Sequence, residues 1–232
     1  MNLAMHLSDG IVDAPTSVAY AVVAAIGLAV AAARARADLD ERTAPMAGLV
    51  AAFVFATQMV NFPVLPGVSG HLLGGALAAI LVGPWVGTLC VGIVLVMQAV
   101  LFADGGLSAL GANLTNLALV GTAAGYAVAV LLGRFARGGR SRLVAVAFVA
   151  ALVNTLAAAA SFLVQYAIGG EAGVGLGSVA IPMLGVHALI GIGEGLITGL
   201  TVGAVARVRP DLVYLLRAAR RPADAAPAAV GT

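Results

Sequence analysis

The stretch 72–102, LLGGALAAILVGPWVGTLCVGIVLVMQAVLF, decides how many membrane-spanning helices the chain forms. As a single helix it would be about 46 Å long, whereas the hydrocarbon core of a bilayer is about 30 Å thick. Gly83-Pro84 interrupts the stretch. Proline lacks the N–H group that a helix interior uses, and it disfavours the helical conformation of the preceding residue. The stretch therefore predicts either one kinked helix or two helices joined by a tight turn at 83–84.

The composition indicates a polytopic membrane protein. Of the 232 residues, 62% are hydrophobic and 9% are charged, with a mean hydropathy of +1.08. Soluble proteins carry about 25% charged residues, and a soluble fold of this length could not bury so much apolar surface. The single cysteine, Cys90, excludes an intrachain disulfide or a cysteine-based metal cluster. Besides 72–102, the runs long enough to cross a bilayer are 17–33, 45–61, 112–133, 143–167 and 179–206.

The arginines decide between one and two helices in 72–102. The chain has no lysine, and its arginines fall in three clusters, which are Arg34, Arg36 and Arg42; Arg134, Arg137, Arg140 and Arg142; and Arg207, Arg209, Arg217, Arg220 and Arg221. The positive-inside rule places such clusters in the cytoplasm. If 72–102 forms two helices, all three arginine clusters lie on the same side of the membrane. If it forms one helix, the second and third clusters lie on the side opposite the first. We therefore predict an all-α membrane protein, a seven-span helical bundle with its N-terminus outside and its C-terminus inside.

This topology divides the chain into three parts. Residues 1–16 form an extracytoplasmic segment, 17–206 form the transmembrane bundle, and 207–232 form a basic, largely disordered cytoplasmic tail. The loops 62–71, 104–111 and 168–178 lie on the outer face with the N-terminal segment. We expect a multi-pass protein of the inner cell membrane that contacts the lipid bilayer and no nucleic acid.

Two of the three histidines lie on the predicted outer face. His6 belongs to the hexapeptide MHLSDG at 5–10, and His71 ends the loop NFPVLPGVSGH at 61–71. Imidazole is the commonest protein ligand for divalent ions such as Ni(II), Co(II) and Zn(II). A lone histidine in an outer loop is usually solvated or caps a helix. Two on one face of a chain with only three make a shared metal ion an equally good interpretation.

The N-terminal segment also contains candidates for loop anchoring and helix capping. Thr16 or Ser17 is the expected cap of the first helix, ahead of Asp9 and Asp13. Asp9 precedes Gly10 in a pair that is common in turns, and it is a candidate to hold the segment in a fixed loop.

Three polar residues on the outer side of the later spans are assigned supporting roles. Asp104 is the only charged residue between Thr43 and Gly133. Asn113 and Asn116 lie one turn apart and share a helix face. We expect Asp104 and Asn113 to orient the site or to tie loops together rather than to bind an ion directly.

His187 and Glu194 lie within the last predicted span, seven residues apart on one helix face. Ionisable groups inside a membrane are costly, and their presence indicates a function. A proton relay and a paired internal hydrogen-bond network are equally good interpretations of this pair.

The first span carries a stripe of small residues. Ala21, Ala25, Ala29 and Ala33 recur every four residues. Small residues at this spacing let two helices approach closely in lipid, which predicts a docking surface for a partner membrane subunit. An alanine-rich composition throughout the chain is the simpler alternative.

Five blocks of sequence, in order, resemble one family of transporters. MHLSDG (5–10), GVSGHLLGG (67–75), GPW (83–85), QAVLFADGGLSALGAN (98–113) and HALIGIGE (187–194) are similar to the CbiM/NikM family, the cobalt/nickel substrate-binding subunits, or S components, of energy-coupling factor (ECF) transporters. The likeness extends from residue 5 to about residue 206.

The resemblance implies a function for the outer histidines. An S component captures Co²⁺ or Ni²⁺ as transported substrate, with no organic cofactor, and its N-terminal segment lines the outer cavity. The resemblance assigns the metal ligands to the amine and amide nitrogens around Met5-His6 and to the imidazoles of His6 and His71. It also implies a link to cobalamin biosynthesis, and it does not separate cobalt from nickel.

The resemblance further implies partners: a transmembrane T component, a cytoplasmic ATPase pair, and in some systems a small accessory membrane subunit. The chain itself has no G-x-x-x-x-G-K-[ST] phosphate loop, so it is expected to be a transport subunit rather than an enzyme. The alternative is a self-contained proton-coupled carrier that uses His187 and Glu194. An intramembrane hydrolase fits poorly, because Asp104 has no second aspartate to form a dyad.

The resemblance also raises a question about the first residues. Family members tend to begin at the methionine that corresponds to Met5, whereas here MNLA precedes it at 1–4. A free amine at Met5 would supply one metal ligand. We therefore expect translation to start at Met5, which the intact mass of the purified protein would establish.

Overall fold

The computed structural model describes residues 6–41, 43–60, 62–65, 68–171 and 173–218. The helices and strands in chain order are α1 (Ala14–Ala35), α2 (Thr43–Gln58), β1 (Phe62–Leu65), β2 (Val68–Gly70), α3 (Gly75–Val82), α4 (Pro84–Leu101), α5 (Leu110–Asn113), a π-helical segment (Leu114–Gly121), α6 (Thr122–Leu131), α7 (Gly133–Ala136), α8 (Arg140–Gly169), α9 (Leu176–Val208), a 3₁₀ turn (Pro210–Leu212) and α10 (Tyr214–Ala218).

The structure is a helical bundle with one small addition. β1 and β2 form an antiparallel hairpin in which Phe62 lies opposite Gly70 and Leu65 opposite Val68. The sequence predicts a loop in this region, and a hairpin of seven strand residues does not alter the helical class.

Five helices within the described residues are long and apolar enough to cross a membrane. They are α1, α4, the continuous helix Leu110–Leu131, α8 and α9. α2 is also apolar but has only 16 residues. All of these lie within a few residues of the predicted spans, because long apolar runs identify spans well.

The break at Gly83-Pro84 is where the sequence predicts it. α3 ends at Val82, and α4 begins at Pro84. However, α3 has only 8 residues, about 12 Å of helix, and every one of them is buried. It packs against α2, α4, α6 and α8. Burial in protein and burial in lipid select the same apolar residues, so the sequence does not reveal that α3 is the core of the bundle.

The cap of α1 differs from the prediction. Asp13 is the N-cap, and its carboxylate accepts a hydrogen bond from Thr16 N at 2.8 Å. These bonds from the Thr16 side chain and backbone lower the pKa of Asp13 below its ordinary value. Thr16 and Ser17 lie inside the first turn and are buried. Asp13 precedes Pro15 in the first turn, which is the usual place for a capping carboxylate.

The C-terminal tail also differs in part from the prediction. Residues 210–212 and 214–218 are helical rather than disordered, and Val213 and Leu215 are buried. Tyr214 packs against Gly83, and its hydroxyl lies 3.5 Å from Asp38 Oδ1. These apolar residues pack against the bundle, where α10 contacts α3, and the basic composition of the tail does not indicate this contact. Residues 219–232 lie outside the described residues.

The two ends of the bundle are distinct. At one end the C-terminus of α1 meets α10, and a cleft is lined by residues of α7, α8, α9 and α10, including Arg137, Arg140 and Leu216. At the other end Asp13 N donates to Gly169 O at 2.7 Å, which joins the start of α1 to the end of α8. The described arginine clusters therefore lie at one end, and the N-terminal segment lies at the other.

Candidate metal-binding cavity

A cavity of about 340 Å³ opens at the end of the bundle that carries the N-terminal segment. The N-terminal segment, the strand-to-helix connection before α3, the π-helical segment, α8 and α9 all contribute to its wall. Its lining residues are His6, Leu7, Ser8, Ile11, His71, Leu73, Asn113, Asn116, Leu117, Ala158, Ala159, Phe162, Met183 and His187. The fold thus brings all three histidines of the chain to one cavity.

The N-terminal segment is fixed by main-chain hydrogen bonds to Asn113. Leu7 N donates to Asn113 Oδ1 at 3.0 Å, and Asn113 Nδ2 donates to Leu7 O at 3.1 Å. Gly106 N also donates to Leu7 O, at 2.9 Å. Asn113 is therefore a loop anchor that sets the position of the residue next to His6.

Asp9 provides a second anchor. Its Oδ1 accepts hydrogen bonds from Ser108 N at 2.9 Å and from Ser108 Oγ. These bonds from Ser108 lower the pKa of the Asp9 carboxyl. A Cβ at Gly106 would collide with Asp9, so the approach of the two loops requires glycine there. These contacts join the N-terminal segment to the loop before α5, and the anchoring role of Asp9 stays a prediction.

His6 and His71 meet inside the cavity. Their ring centroids are 4.9 Å apart, with the planes inclined by 55°. Both side chains are buried, although 65 residues separate them in sequence. A single ion between the two rings is compatible with this separation, because imidazole nitrogens lie about 2 Å from a bound divalent metal.

His6 lies beside Asp104. His6 Nδ1 is 3.3 Å from Asp104 Oδ2, although the geometry is not that of a hydrogen bond, and His6 Nε2 has no partner in the described part of the chain. The residue before Asp104, Ala103, has φ of 51°, an unfavourable value for a non-glycine residue. The backbone is thus held in a costly conformation where it presents Asp104 to His6.

His71 has a defined tautomer. Its Nδ1 lies 2.8 Å from Leu72 O, and a carbonyl oxygen only accepts hydrogen bonds. Nδ1 therefore carries the proton, and Nε2 is the nitrogen that presents a lone pair. A hydrogen bond of this kind on the far ring nitrogen is typical of histidines that bind metals.

His187 of α9 lines the same cavity. Its Nδ1 donates to Met183 O at 2.8 Å, which also leaves Nε2 as the lone-pair nitrogen. Within the described residues, no group of three or more His, Cys, Asp and Glu side chains is close enough together to hold a metal ion. His187 therefore lines the cavity at a distance from the paired rings of His6 and His71.

Glu194 lies outside the cavity in a separate hydrogen-bond cluster. Its Oε1 accepts from Gly74 N at 2.9 Å and from Asn154 Nδ2 at 3.2 Å. Its Oε2 accepts from Leu73 N at 3.0 Å and from Thr155 Oγ1 at 2.7 Å. Glu194 and His187 therefore make their hydrogen bonds to different partners, and the role of the pair stays a prediction.

Several buried polar side chains, or the partners that they bond, were not predicted from the sequence. Gln58 donates to Leu73 O at 2.8 Å, and Asn116 exchanges two hydrogen bonds with Gln165. Asn154 and Thr155 belong to the Glu194 cluster. The available signal was their occurrence inside apolar runs, because polar side chains at membrane depth usually face the bundle interior.

The alanine stripe of α1 lies on the surface. Ala21, Ala25, Ala29 and Ala33 are all exposed. A Cβ at Gly111 would collide with the backbone of Ala21, so this end of the stripe already contacts α5 closely. Met5 and the residues before it lie outside the described residues, so the predicted amine ligand has no described position.

The chain is similar to known metal transport proteins over nearly its whole length. The CbiM family, described as the cobalt uptake substrate-specific transmembrane region, matches residues 6–212. The putative fused nickel transport protein NikMN of Archaeoglobus fulgidus is 38% identical over 210 residues, which are 90% of this chain and 68% of that protein. The cobalt transport protein CbiM of Sorangium cellulosum is 30% identical over 223 residues, covering 93% and 97%.

Solved structures give the same result. A crystal structure of a truncated transition metal transporter matches with a TM-score of 0.74 and 30% identity, covering 88% of this chain and 99% of that one. A second crystal structure of a transition metal transporter has the same TM-score, 0.74, and covers 94% of this chain.

Proposed function

The chain belongs to the CbiM family of cobalt uptake transmembrane proteins, and from this premise we propose that it is the substrate-capture S component of an ECF transporter for Co²⁺ or Ni²⁺. The observation that carries the proposal is the meeting of His6 and His71, whose ring centroids are 4.9 Å apart, in a cavity that the N-terminal segment lines. A buried imidazole nitrogen with no partner among the described residues, His6 Nε2, supplies a donor for an incoming ion.

The proposed ligands are nitrogens. The imidazoles of His6 and His71 supply two, and the amine and amide around Met5-His6 supply the others. Tetragonal nitrogen ligation suits Ni(II), and the same donors serve Co(II). Asp104 faces His6, while Asp9 and Asn113 hold the segment that delivers it, so these three support the site without binding the ion.

The proposed orientation places the cavity outside the cell. The described arginines of the three clusters lie at the opposite end of the bundle from the cavity, which suits the positive-inside rule. Thiol labelling tests this orientation. A cysteine placed at Ser108 should react with an impermeant reagent added to intact cells, and one placed at Arg137 should not. Cys90 is buried and provides the unreactive background.

If the chain crosses the membrane seven times, α3 must form part of one crossing. α3 contributes about 12 Å, and the non-helical residues 71–74 contribute up to about 13 Å at ~3.3 Å per residue. Together they approach the thickness of the hydrocarbon core. Because this crossing is buried by its neighbours, its irregular backbone is compatible with a position at membrane depth.

The proposed partners are a T component and a cytoplasmic ATPase pair, with α1 as the docking surface. Ala25, Ala29 and Ala33 are exposed on α1 and would allow close helix contact. The fused nickel relatives are longer than this chain, which covers 68% and 66% of two of them. Ala29→Leu should reduce co-purification with the T component and leave metal binding unchanged.

Isothermal titration of the detergent-purified chain with Ni²⁺, Co²⁺ and Zn²⁺ tests the proposed function. We expect tight binding of one ion per chain, with higher affinity when the chain begins at Met5 than when residues 1–4 are present. A chain that binds neither Ni²⁺ nor Co²⁺ would contradict the proposal. Metal uptake by vesicles that contain this chain alone, abolished by an uncoupler, would instead support the proton-coupled carrier.

A further inference from the structure

We propose that Glu194 is a positioning residue for His71, and that it acts by holding the backbone of residues 71–74 at the inner wall of the cavity. This inference rests on the proposed function, because it assigns His71 as a metal ligand. Glu194 itself does not line the cavity, so any effect on the ion passes through the 71–74 segment.

The segment 71–74 needs external hydrogen-bond partners. It lies between the β-hairpin and α3, and it has no helical or strand structure of its own. All four of its residues are buried. Buried N–H and C=O groups without partners are costly, and this cost is greater at membrane depth, where no water replaces the missing bonds.

Glu194 satisfies two consecutive N–H groups of this segment. Leu73 N and Gly74 N donate to its two carboxylate oxygens at 3.0 and 2.9 Å. Hydrogen bonds to a carboxylate are stronger than those between neutral groups. The carboxylate also lies near the first turn of α3, where the helix dipole favours negative charge. α9 therefore fixes the backbone two residues from the His71 ring.

Two more hydrogen bonds continue from this point to the ring. Gln58 of α2 donates to Leu73 O at 2.8 Å, which fixes the opposite side of the same residue. His71 Nδ1 donates to Leu72 O at 2.8 Å, so the orientation of the ring follows that of the Leu72 peptide group. A displacement of residues 72–74 would turn the ring and move its Nε2.

The Glu194 side chain is itself held from α8. Asn154 Nδ2 and Thr155 Oγ1 donate to Oε1 and Oε2, one to each oxygen. Four donor groups face the two side-chain oxygens of Glu194. Both of these atoms must therefore accept hydrogen bonds, as the two oxygens of a carboxylate do. The amide of a glutamine would place an NH₂ group against one backbone N–H, which would leave that N–H unpaired or push the segment away.

A double-mutant cycle with Ni²⁺ tests the inference. Glu194→Gln in the otherwise wild-type chain should weaken Ni²⁺ affinity about 10-fold to 100-fold, the range seen when a ligand loses its supporting hydrogen bonds. In the His71→Ala background the same substitution should change the residual affinity less than about threefold, because the group it positions is gone. Equal losses in both backgrounds would overturn the inference.

A milder variant keeps the test valid if Glu194→Gln folds poorly. Thr155→Val removes one donor to Oε2 and conserves shape, and it should weaken Ni²⁺ affinity by about threefold only when His71 is present. Gln165→Leu is the matched control, since it removes two buried hydrogen bonds to Asn116 and none to residues 71–74. It should lower thermal stability without changing the absorption spectrum of bound Ni²⁺, whereas Glu194→Gln should change that spectrum.

Hydrogen exchange of the metal-free chain separates this inference from the proposed function. Glu194→Gln should accelerate exchange of the Leu73 and Gly74 amides, and Gln165→Leu should not. Unchanged protection of these amides would overturn the inference. A wild-type chain that binds neither Ni²⁺ nor Co²⁺ would overturn the proposed function and, with it, the positioning role. If the wild-type chain binds Ni²⁺ but the effects of Glu194→Gln and His71→Ala on affinity are additive, the inference is overturned and the proposed function stands.

Discussion

The cavity and the Glu194 cluster are two groups of buried polar residues in the same apolar bundle, and they differ in how their polar atoms are satisfied. In the Glu194 cluster, four donors surround both carboxylate oxygens. In the cavity, His6 Nε2 has no partner among the described residues, and His6 Nδ1 faces Asp104 without hydrogen-bond geometry.

The difference lies in what surrounds each side chain. Buried polar atoms in native proteins are usually paired, and His6 Nε2, which has no partner among the described residues, faces a cavity that can admit a ligand. A fully paired carboxylate indicates instead that the fold uses it to hold backbone in place. The sequence identifies His187 and Glu194 together as ionisable residues within one span. In the structure His187 lines the cavity, whereas Glu194 belongs to the separate hydrogen-bond cluster.

The largest expected effect is a loss of metal affinity, and it distinguishes among the three histidines that line the cavity. His6→Ala and His71→Ala should each weaken Ni²⁺ and Co²⁺ binding by at least about 100-fold, or ~3 kcal/mol, since each removes a proposed ligand. His187→Ala, the matched control, should change the affinity less than about threefold. Isothermal titration measures all three. Tight binding that survives both His6→Ala and His71→Ala would contradict the metal site.

The second effect concerns the backbone that Glu194 holds. Gly74 has φ of +80°, and a Cβ there would lie 2.8 Å from the side chain of Val54. Gly74→Ala should therefore destabilise the fold by about 2 kcal/mol. Gly48→Ala is the control, because Gly48 is helical with open space around it, and alanine is favoured there. Thermal unfolding in detergent should show a lower midpoint for the first variant only.

The third effect concerns the anchor of the N-terminal segment. Asn113→Ala removes two hydrogen bonds to Leu7, so the segment becomes mobile before it binds an ion. We expect a loss of Ni²⁺ affinity of about tenfold, with a larger entropic penalty in the titration, because each such bond contributes about 1 kcal/mol. An unchanged affinity would show that the segment does not need this anchor.

The smallest effect concerns Asp9 and pH. Hydrogen bonds from Ser108 lower the pKa of Asp9 below its ordinary value of 3.8, so its anchoring contribution is present above that value and is lost as the pH falls through the lowered pKa. Metal affinity should also fall as the pH drops, and it should do so before Asp9 is protonated, because imidazole must be neutral to bind a metal ion. Asp9→Asn should weaken Ni²⁺ binding by a few-fold at pH 7.

The pH profile provides the control for Asp9. Titrations between pH 5 and pH 8 should show the same midpoint for Asp9→Asn and for the wild-type chain, since Asp9 stays ionised throughout. A shifted midpoint would place Asp9 in direct contact with the ion rather than in the loop anchor.

Much of the fold could be predicted from local sequence. The long apolar runs and the Gly83-Pro84 break are governed by bilayer thickness and proline geometry, which act over neighbouring residues. The cap of α1 was assigned to Thr16 or Ser17 rather than to Asp13, since several capping residues compete within a few positions. The packing of Val213 and Leu215 was missed because it depends on contacts that are remote in sequence.

Part of the site could also be predicted. Orientation by the arginines placed His6 and His71 on one face, and the turn residues made Asp9 a candidate anchor. The role of Gln58 and the position of His187 in the cavity could not be predicted, because they depend on which side of a helix faces a neighbour. α9 has apolar residues all round and so shows no polar face that would indicate this.

The sequence by itself determined that the chain is a multi-helix membrane protein, where most of its helices lie, and which few histidines and ionisable residues lie within or beside its apolar runs. Composition, length and residue type fix these properties locally. Only the tertiary structure decided that two distant imidazoles meet, that α3 is buried in protein, and that Glu194 holds the backbone beside His71. These facts depend on long-range packing, and an apolar residue has the same local preference whether it faces lipid or another helix.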